Sequence, residues 1–129
     1  MADDRGKILI VDDDQALLTF LSNILRSANY EVISTTRGKE AIDLAKNLKP
    51  DLIILDILLP DIMGGEVSQI LSQDPSTYKI PIIFLTGLNT KEDEKIIKKT
   101  GNFHLLAKPV TREDLLDAIS KVLSEVELF

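Results

Sequence analysis

From Asp51 to Asp56 the chain reads Asp-Leu-Ile-Ile-Leu-Asp, and a second stretch, Ile80 to Leu85, is apolar throughout. Runs this short and this apolar fit strands buried on both faces, as the inner strands of parallel sheets are. The first run stops abruptly on a carboxylate and breaks into a loop carrying Pro60, Gly64 and Gly65. In an open parallel sheet, ligands bind in the crevice outside the carboxyl ends of the strands. Asp56 is therefore the group to explain: it either ends a strand and caps the next helix, or it carries chemistry.

The rest of the chain supplies helices to cover such strands. Lys7–Val11 reads as a buried strand stopped by Asp12-Asp13-Asp14. From Gln15 to Ala28, Leu17, Phe20, Leu21, Ile24, Leu25 and Ala28 recur at helical spacing. Glu31–Thr35 is a second strand. A helix over Gly38–Leu48 turns Ala41, Ile42, Ala45 and Leu48 inward, and Pro50 closes it. The Asp51–Asp56 strand leads to a short helix from about Gly65 to Gln73, burying Val67, Ile70 and Leu71. After the Ile80–Leu85 strand and Thr86-Gly87, Thr90–Asp93 resembles a capping box. It opens a fourth, weakly apolar helix with Ile96 and Ile97, stopped at Gly101. Phe103–Ala107 is the last strand. Thr111–Asp114, another capping box, opens a fifth helix with Leu115, Ile119, Val122, Leu123 and Val126 inward. Five strand-helix units with short connections predict an α/β fold, a parallel sheet with helices on both faces. No linker or repeat interrupts it, so one domain over 1–129 is expected, with its core at about 7–126.

Composition removes several classes of function. A chain of 129 residues buries roughly two thirds of its unfolded surface. It has no cysteine, so disulfides and thiolate metal sites are excluded, and its single histidine, His104, argues against a His-rich metal site or a Ser-His-Asp triad. Oxygen ligands for hard cations remain. A net charge of -6 argues against direct nucleic-acid binding. No apolar run approaches membrane-spanning length and no signal region precedes Lys7, so a cytoplasmic domain without membrane contact is expected.

The strand ends then form a set. The first ends in Asp12-Asp13, the third in Asp56, the fourth in Thr86 and the fifth in Lys108, and right-handed crossovers put these ends on one rim. Clustered carboxylates raise one another's pKa unless something compensates. A magnesium ion is the natural compensator, since it takes oxygen ligands from one or two carboxylates plus a phosphate. Lys108 adds a positive point charge and Thr86 a hydroxyl donor. An aspartate can itself be the nucleophile that becomes an aspartyl phosphate, with the protein positioning and neutralising the transferring group. Taken singly, Asp12–Asp14 could cap a helix, Thr86 end a strand and Lys108 be a solvated lysine.

In order and separation, Ile-Leu-Ile-Val-Asp12-Asp13-Asp14, Leu-Ile-Ile-Leu-Asp56-Ile-Leu-Leu-Pro60, Ile-Ile-Phe-Leu-Thr86-Gly87 and Lys108-Pro109 resemble the receiver domain of bacterial two-component response regulators. The resemblance spans Lys7 to about Val126. It implies a doubly wound, flavodoxin-like five-stranded parallel sheet of order 2-1-3-4-5. It implies a phosphorylation-dependent signalling switch rather than an enzyme with an external substrate. Asp56 would be the phosphoacceptor. Asp12, Asp13, Asp56 and the backbone carbonyl of Leu58 would hold magnesium, with Asp13 favoured over Asp12 as direct ligand. Thr86 and Lys108 would contact phosphoryl oxygens. The Lys108–Pro109 bond would be cis. The phosphodonor would be a phosphohistidine on a sensor histidine kinase or a histidine phosphotransfer protein. An output domain or protein, and a homodimer through the face of the fourth helix, fifth strand and fifth helix, would follow. A stand-alone receiver and a piece of a larger regulator or hybrid kinase are both open.

Departures from the family pattern carry their own expectations. Leu105 stands where the family usually has an aromatic switch residue, and Gly87 replaces a common alanine, adding backbone freedom where the switch loop begins. Leu58 and Leu88 stand at the two positions that, in the family, tune water attack on the phosphoaspartate, and as apolar residues they imply a longer-lived phosphoaspartate than polar ones would. Leu18, beside the inner stripe of the first helix, is either an exposed anchor for a kinase or phosphotransfer helix bundle or peripheral core. Two other functions compete. A haloacid-dehalogenase-like phosphohydrolase would use Asp12 as nucleophile and Asp14 as acid/base, although Ala16 replaces the expected Thr or Val and no late acidic pair follows Lys108. A pseudo-receiver would bind partners without being phosphorylated.

Overall fold

A computed structural model describes residues 5–87 and 104–127, with side chains described through 125. The expectations for Leu88, for the helix from Thr90 to Gly101, for Phe103 and for the Val126 side chain lie outside the described residues.

Five parallel strands form one sheet in the order β2-β1-β3-β4-β5. They are β1 (Lys7–Val11), β2 (Glu31–Thr35), β3 (Leu52–Asp56), β4 (Ile82–Thr86) and β5 (Leu105–Ala107). Between them run α1 (Gln15–Ser27), α2 (Gly38–Leu48) and α3 (Gly64–Gln73), and a C-terminal helix covers Arg112–Glu127. β4 starts two residues later than its apolar run. Ile80 is held in a turn by its N–H on Thr77 O, and Pro81, which has no N–H to give a ladder, contributes only its carbonyl to Ile53.

The strands alternate between two cores because successive side chains point to opposite faces. Ile8, Ile10, Leu52, Ile54, Ile83 and Leu85 pack with Leu18, Leu21 and Leu25 of α1 and Leu115 and Ile119 of the C-terminal helix. Leu9, Val11, Ile53, Leu55, Ile82 and Phe84 pack with Ala41 and Ala45 of α2 and Val67 and Leu71 of α3. Every residue of β3 and β4 is buried, as two covered faces require.

Side-chain phase is where the sequence reading needs correction. On α1, Leu18 is only 2% exposed, whereas Phe20 is 48% exposed. The stripe facing the sheet is Leu18, Leu21, Ser22, Ile24 and Leu25, so Leu18 is core and not an exposed anchor. Leu48 and Ile70, expected inward, are exposed at the margins of α2 and α3. The helix ends are chemically marked. Asp14 caps α1 by accepting the Leu17 N–H at 3.2 Å, and Thr111 Oγ1 accepts the Asp114 N–H at 3.1 Å. α2 ends on Lys49 at φ 46°, and Pro50 prevents its continuation.

Candidate functional site

The strand order places the site. From β1 the chain crosses to β2 on one side and returns to β3 on the other, so the sheet's direction of winding reverses between β1 and β3. Such a reversal leaves a crevice beyond the carboxyl ends of the two strands. Asp12 and Asp13 follow β1, and Asp56 is the last residue of β3. Thr86 ends β4, and Lys108 follows β5 directly.

Local bonds fix these groups. The Asp12 N–H continues the ladder onto Thr35 O, and Asp12 Oδ1 accepts the Asp14 N–H at 2.8 Å. Asp12 is fully buried. Its Oδ2 has no hydrogen-bond partner among the described residues, and the Lys108 ammonium lies 2.9 Å from it as an ion pair. Lys108 Nζ also lies 3.6 Å from Asp56 Oδ2. The Lys108 N–H pairs with Thr86 O at 2.8 Å, and the Lys108–Pro109 bond is cis, as the resemblance implies. Ligand oxygens of Asp12, Asp13 and Asp56 all lie within 4.8 Å of one another.

The electrostatics follow from that crowding. Burial pushes the Asp56 carboxyl up to about 6, with Asp12 and, more weakly, Asp13 adding to the rise. Lys108 and the nearby Leu58 N–H act in the opposite direction. Burial pulls the Lys108 ammonium down, but Asp12 and Asp56 outweigh it and hold Lys108 above its ordinary value. Among the described residues, three carboxylates face one ammonium, and the buried Asp12 Oδ2 has no hydrogen-bond donor. That donor set suits a small hard cation.

All five side chains singled out in the sequence therefore sit at one edge. Leu58 is 62% exposed beside Asp56, and Leu105 is 46% exposed on β5. Asp14 does not join the group, because its carboxylate is used as the α1 cap. Sequence reasoning missed Asp61, whose two carboxylate oxygens accept the Gly38 and Lys39 N–H groups at 2.8 and 2.9 Å. Its signal was indirect: α2 begins after Arg37, which is not a capping residue.

The profile of the family described as "Response regulator receiver domain" matches residues 8–120. The chain belongs to that receiver family. It is 33% identical over 118 residues to the polar-differentiation response regulator DivK of Brucella anthropi, covering 92% of this chain and 96% of that relative. Among solved structures it is similar to a CheY-like receiver domain protein from Methanospirillum hungatei. That pair has 32% identity and a TM-score of 0.87, covering 94% of this chain and 95% of the other. It is also similar to the receiver domain of the sensor histidine kinase PA1611 from Pseudomonas aeruginosa, which has a magnesium ion coordinated in its active-site cleft. There the identity is 27% and the TM-score 0.86, over 92% and 98% of the two chains. A receiver is a signalling domain of two-component systems. No helix among the described residues is long and apolar enough to cross a membrane.

Proposed function

We propose that this receiver is switched by phosphorylation of Asp56 in the presence of magnesium. The observation that carries the reading is the placement of the Asp56 carboxylate at the reversal point, beside Asp12, Asp13 and Lys108. An Asp56 oxygen attacks the phosphorus of a phosphohistidine on a sensor kinase or phosphotransfer protein. The P–O bond forms as the P–N bond breaks, and the imidazole departs to take up a proton from solvent. Asp56 must be ionised to attack, which its pKa of about 6 allows at neutral pH.

Asp12, Asp13, Asp56 and the Leu58 carbonyl would hold Mg2+, with Asp13 favoured over Asp12 as direct ligand. Bound there, the cation supplies positive charge to phosphoryl oxygens. Lys108 neutralises another oxygen, and the Thr86 hydroxyl donates to a third. A phosphoryl group adds roughly -1.5 to -2 charge and strong acceptor oxygens, which draws Thr86 and Lys108 toward it. The surface around β5 and the fourth helix expected from sequence over Thr90–Gly101 then reports the change to an output domain, a partner protein or a second copy of the chain. Neither nucleic acid nor membrane is contacted directly, and the domain acts in the cytoplasm.

Intact mass after incubation with a small acyl phosphate and Mg2+ tests this on wild type, Asp56→Ala and Asp12→Ala. One added phosphoryl group that disappears in Asp56→Ala is the expected result. Steady phosphate release that needs Asp12 and survives Asp56→Ala would mean a phosphohydrolase instead. No adduct from either an acyl phosphate or a protein phosphodonor would mean a pseudo-receiver that only binds partners.

A further inference from the structure

The loop between β3 and α3, residues 57–63, is anchored at two points. Its ends are closed together by the Gly64 N–H on Ile57 O at 2.8 Å. From its middle Asp61 reaches the start of α2. That helix has no cap of its own, since Arg37 stands at the N-cap position and makes no side-chain bond to it. Asp61 replaces it from 23 residues beyond Gly38. Oδ1 accepts the Gly38 N–H at 2.8 Å, and Oδ2 accepts the Lys39 N–H at 2.9 Å. With both oxygens engaged, the carboxylate has one orientation. The Lys39 amide, with that of Gly38, holds the Asp61 carboxyl below the usual range, so it keeps its charge at neutral pH.

Packing tightens the same joint. A Cβ on Gly38 would lie 2.8 Å from Ile62 Cγ1 and 2.9 Å from Val67 Cγ2. The first turn of α2 therefore touches the loop and α3 closely because residue 38 has no side chain. Within the loop, Pro60 has a restricted φ, which limits how far the segment from Leu58 to Asp61 can flex. A backbone carbonyl has no rotamer to adjust; where it points depends on how its loop is held.

We propose that Asp61 is a positioning residue for the phosphoacceptor site: by pinning the loop of residues 57–63 to the first turn of α2, it fixes the Leu58 backbone, whose carbonyl would serve magnesium, relative to Asp56. The inference rests on the magnesium-dependent phosphorylation of Asp56 argued above. Groups that orient a metal ligand from behind typically change metal affinity or activity by about 10-fold or more when removed.

The test separates anchoring from helix capping. Wild type, Asp61→Ala, Asp61→Asn, Arg37→Ser and the double variant Arg37→Ser/Asp61→Ala are melted across a MgCl2 titration. The rate of phosphoryl uptake from an acyl phosphate is read by mass at subsaturating Mg2+. Asp61→Ala is expected to melt a few degrees lower, to need about 10-fold more Mg2+ for half of the thermal shift, and to be phosphorylated about 10-fold more slowly. Asp61→Asn, with one acceptor oxygen left, falls between. In the double variant the serine introduced at the N-cap position caps α2 locally, so the melting temperature recovers while magnesium affinity and rate stay low. Arg37→Ser alone keeps wild-type affinity and rate. Wild-type affinity and rate in Asp61→Ala, or their recovery together with the melting temperature in the double variant, would leave Asp61 as a helix cap only. A wild-type protein with neither a Mg2+ shift nor an adduct would overturn the phosphorylation reading itself, and this inference with it.

Discussion

The Lys108 ammonium lies 2.9 Å from Asp12 Oδ2, an oxygen with no hydrogen bond among the described residues, on a residue with no exposed surface. A buried carboxylate that loses a neighbouring cation keeps the cost of desolvation without its compensation. Lys108→Met is therefore expected to destabilise the metal-free protein by about 1–3 kcal/mol at pH 7.5, less than a fully buried pair because Lys108 is partly exposed. Added Mg2+ should restore part of the loss, since it brings charge to the same carboxylates. Urea unfolding with and without Mg2+ measures both. An unchanged midpoint in the variant would show that the pair contributes nothing.

Asp56 titrates higher in the folded protein, at about 6, than its ordinary 3.8. The folded state thus holds a proton that the unfolded chain releases first. Stability falls as pH rises from ~4 through ~6 and remains lowered above that. The shift of about two units corresponds to at most about 3 kcal/mol. Asp56→Asn removes the penalty, so the variant should be more stable than wild type at pH 7.5 by about 1–3 kcal/mol and converge with it near pH 4. Saturating Mg2+ should narrow the difference at pH 7.5. Denaturant midpoints across pH give the comparison, and a wild type as stable as Asp56→Asn at neutral pH would contradict the raised pKa.

At Gly64 the start of α3 packs tightly against the end of β3. A Cβ there would fall on the backbone carbonyl oxygen of Asp56, with the Ile57 Cα also 2.9 Å away. Backbone cannot move aside as a side-chain tip can. Gly64→Ala is expected to cost about 3 kcal/mol and to lower phosphoryl uptake even where the protein remains folded. Chemical unfolding and the mass assay at low temperature separate the two effects. A Gly64→Ala protein with wild-type stability would mean that the α3 start has room to shift.

Much of this was readable because strands report themselves strongly. The β1, β2 and α2 boundaries coincide with those read from pattern alone, and so does the strand order that the family resemblance implies. The phase of α1 was not readable. Leu17, Leu18, Phe20 and Leu21 offer two apolar stripes of similar strength, and packing against the sheet and the C-terminal helix selects the one containing Leu18. Leu18→Ala should accordingly lose about 2–4 kcal/mol of stability and leave the phosphotransfer rate per folded molecule unchanged. Asp61 was unreadable for a different reason: its partners are 22 and 23 residues away, beyond any local pattern.

Leu58 projects from the loop beside Asp56 and is 62% exposed. If Asp56 is phosphorylated, Leu58, two residues on, would offer no polar atom to orient an attacking water. Leu88, two residues beyond Thr86 in the chain, is likewise apolar. A Leu58→Asn/Leu88→Glu variant supplies groups that hydrogen-bond water at both positions. Its phosphoaspartate is expected to hydrolyse about 10-fold faster or more than wild type, on the scale that a positioned polar side chain contributes to water attack. The half-life of the mass adduct after removal of the acyl phosphate, at fixed Mg2+ and pH, is the direct measurement. Decay in wild type as fast as in the double variant would show that these leucines give no protection.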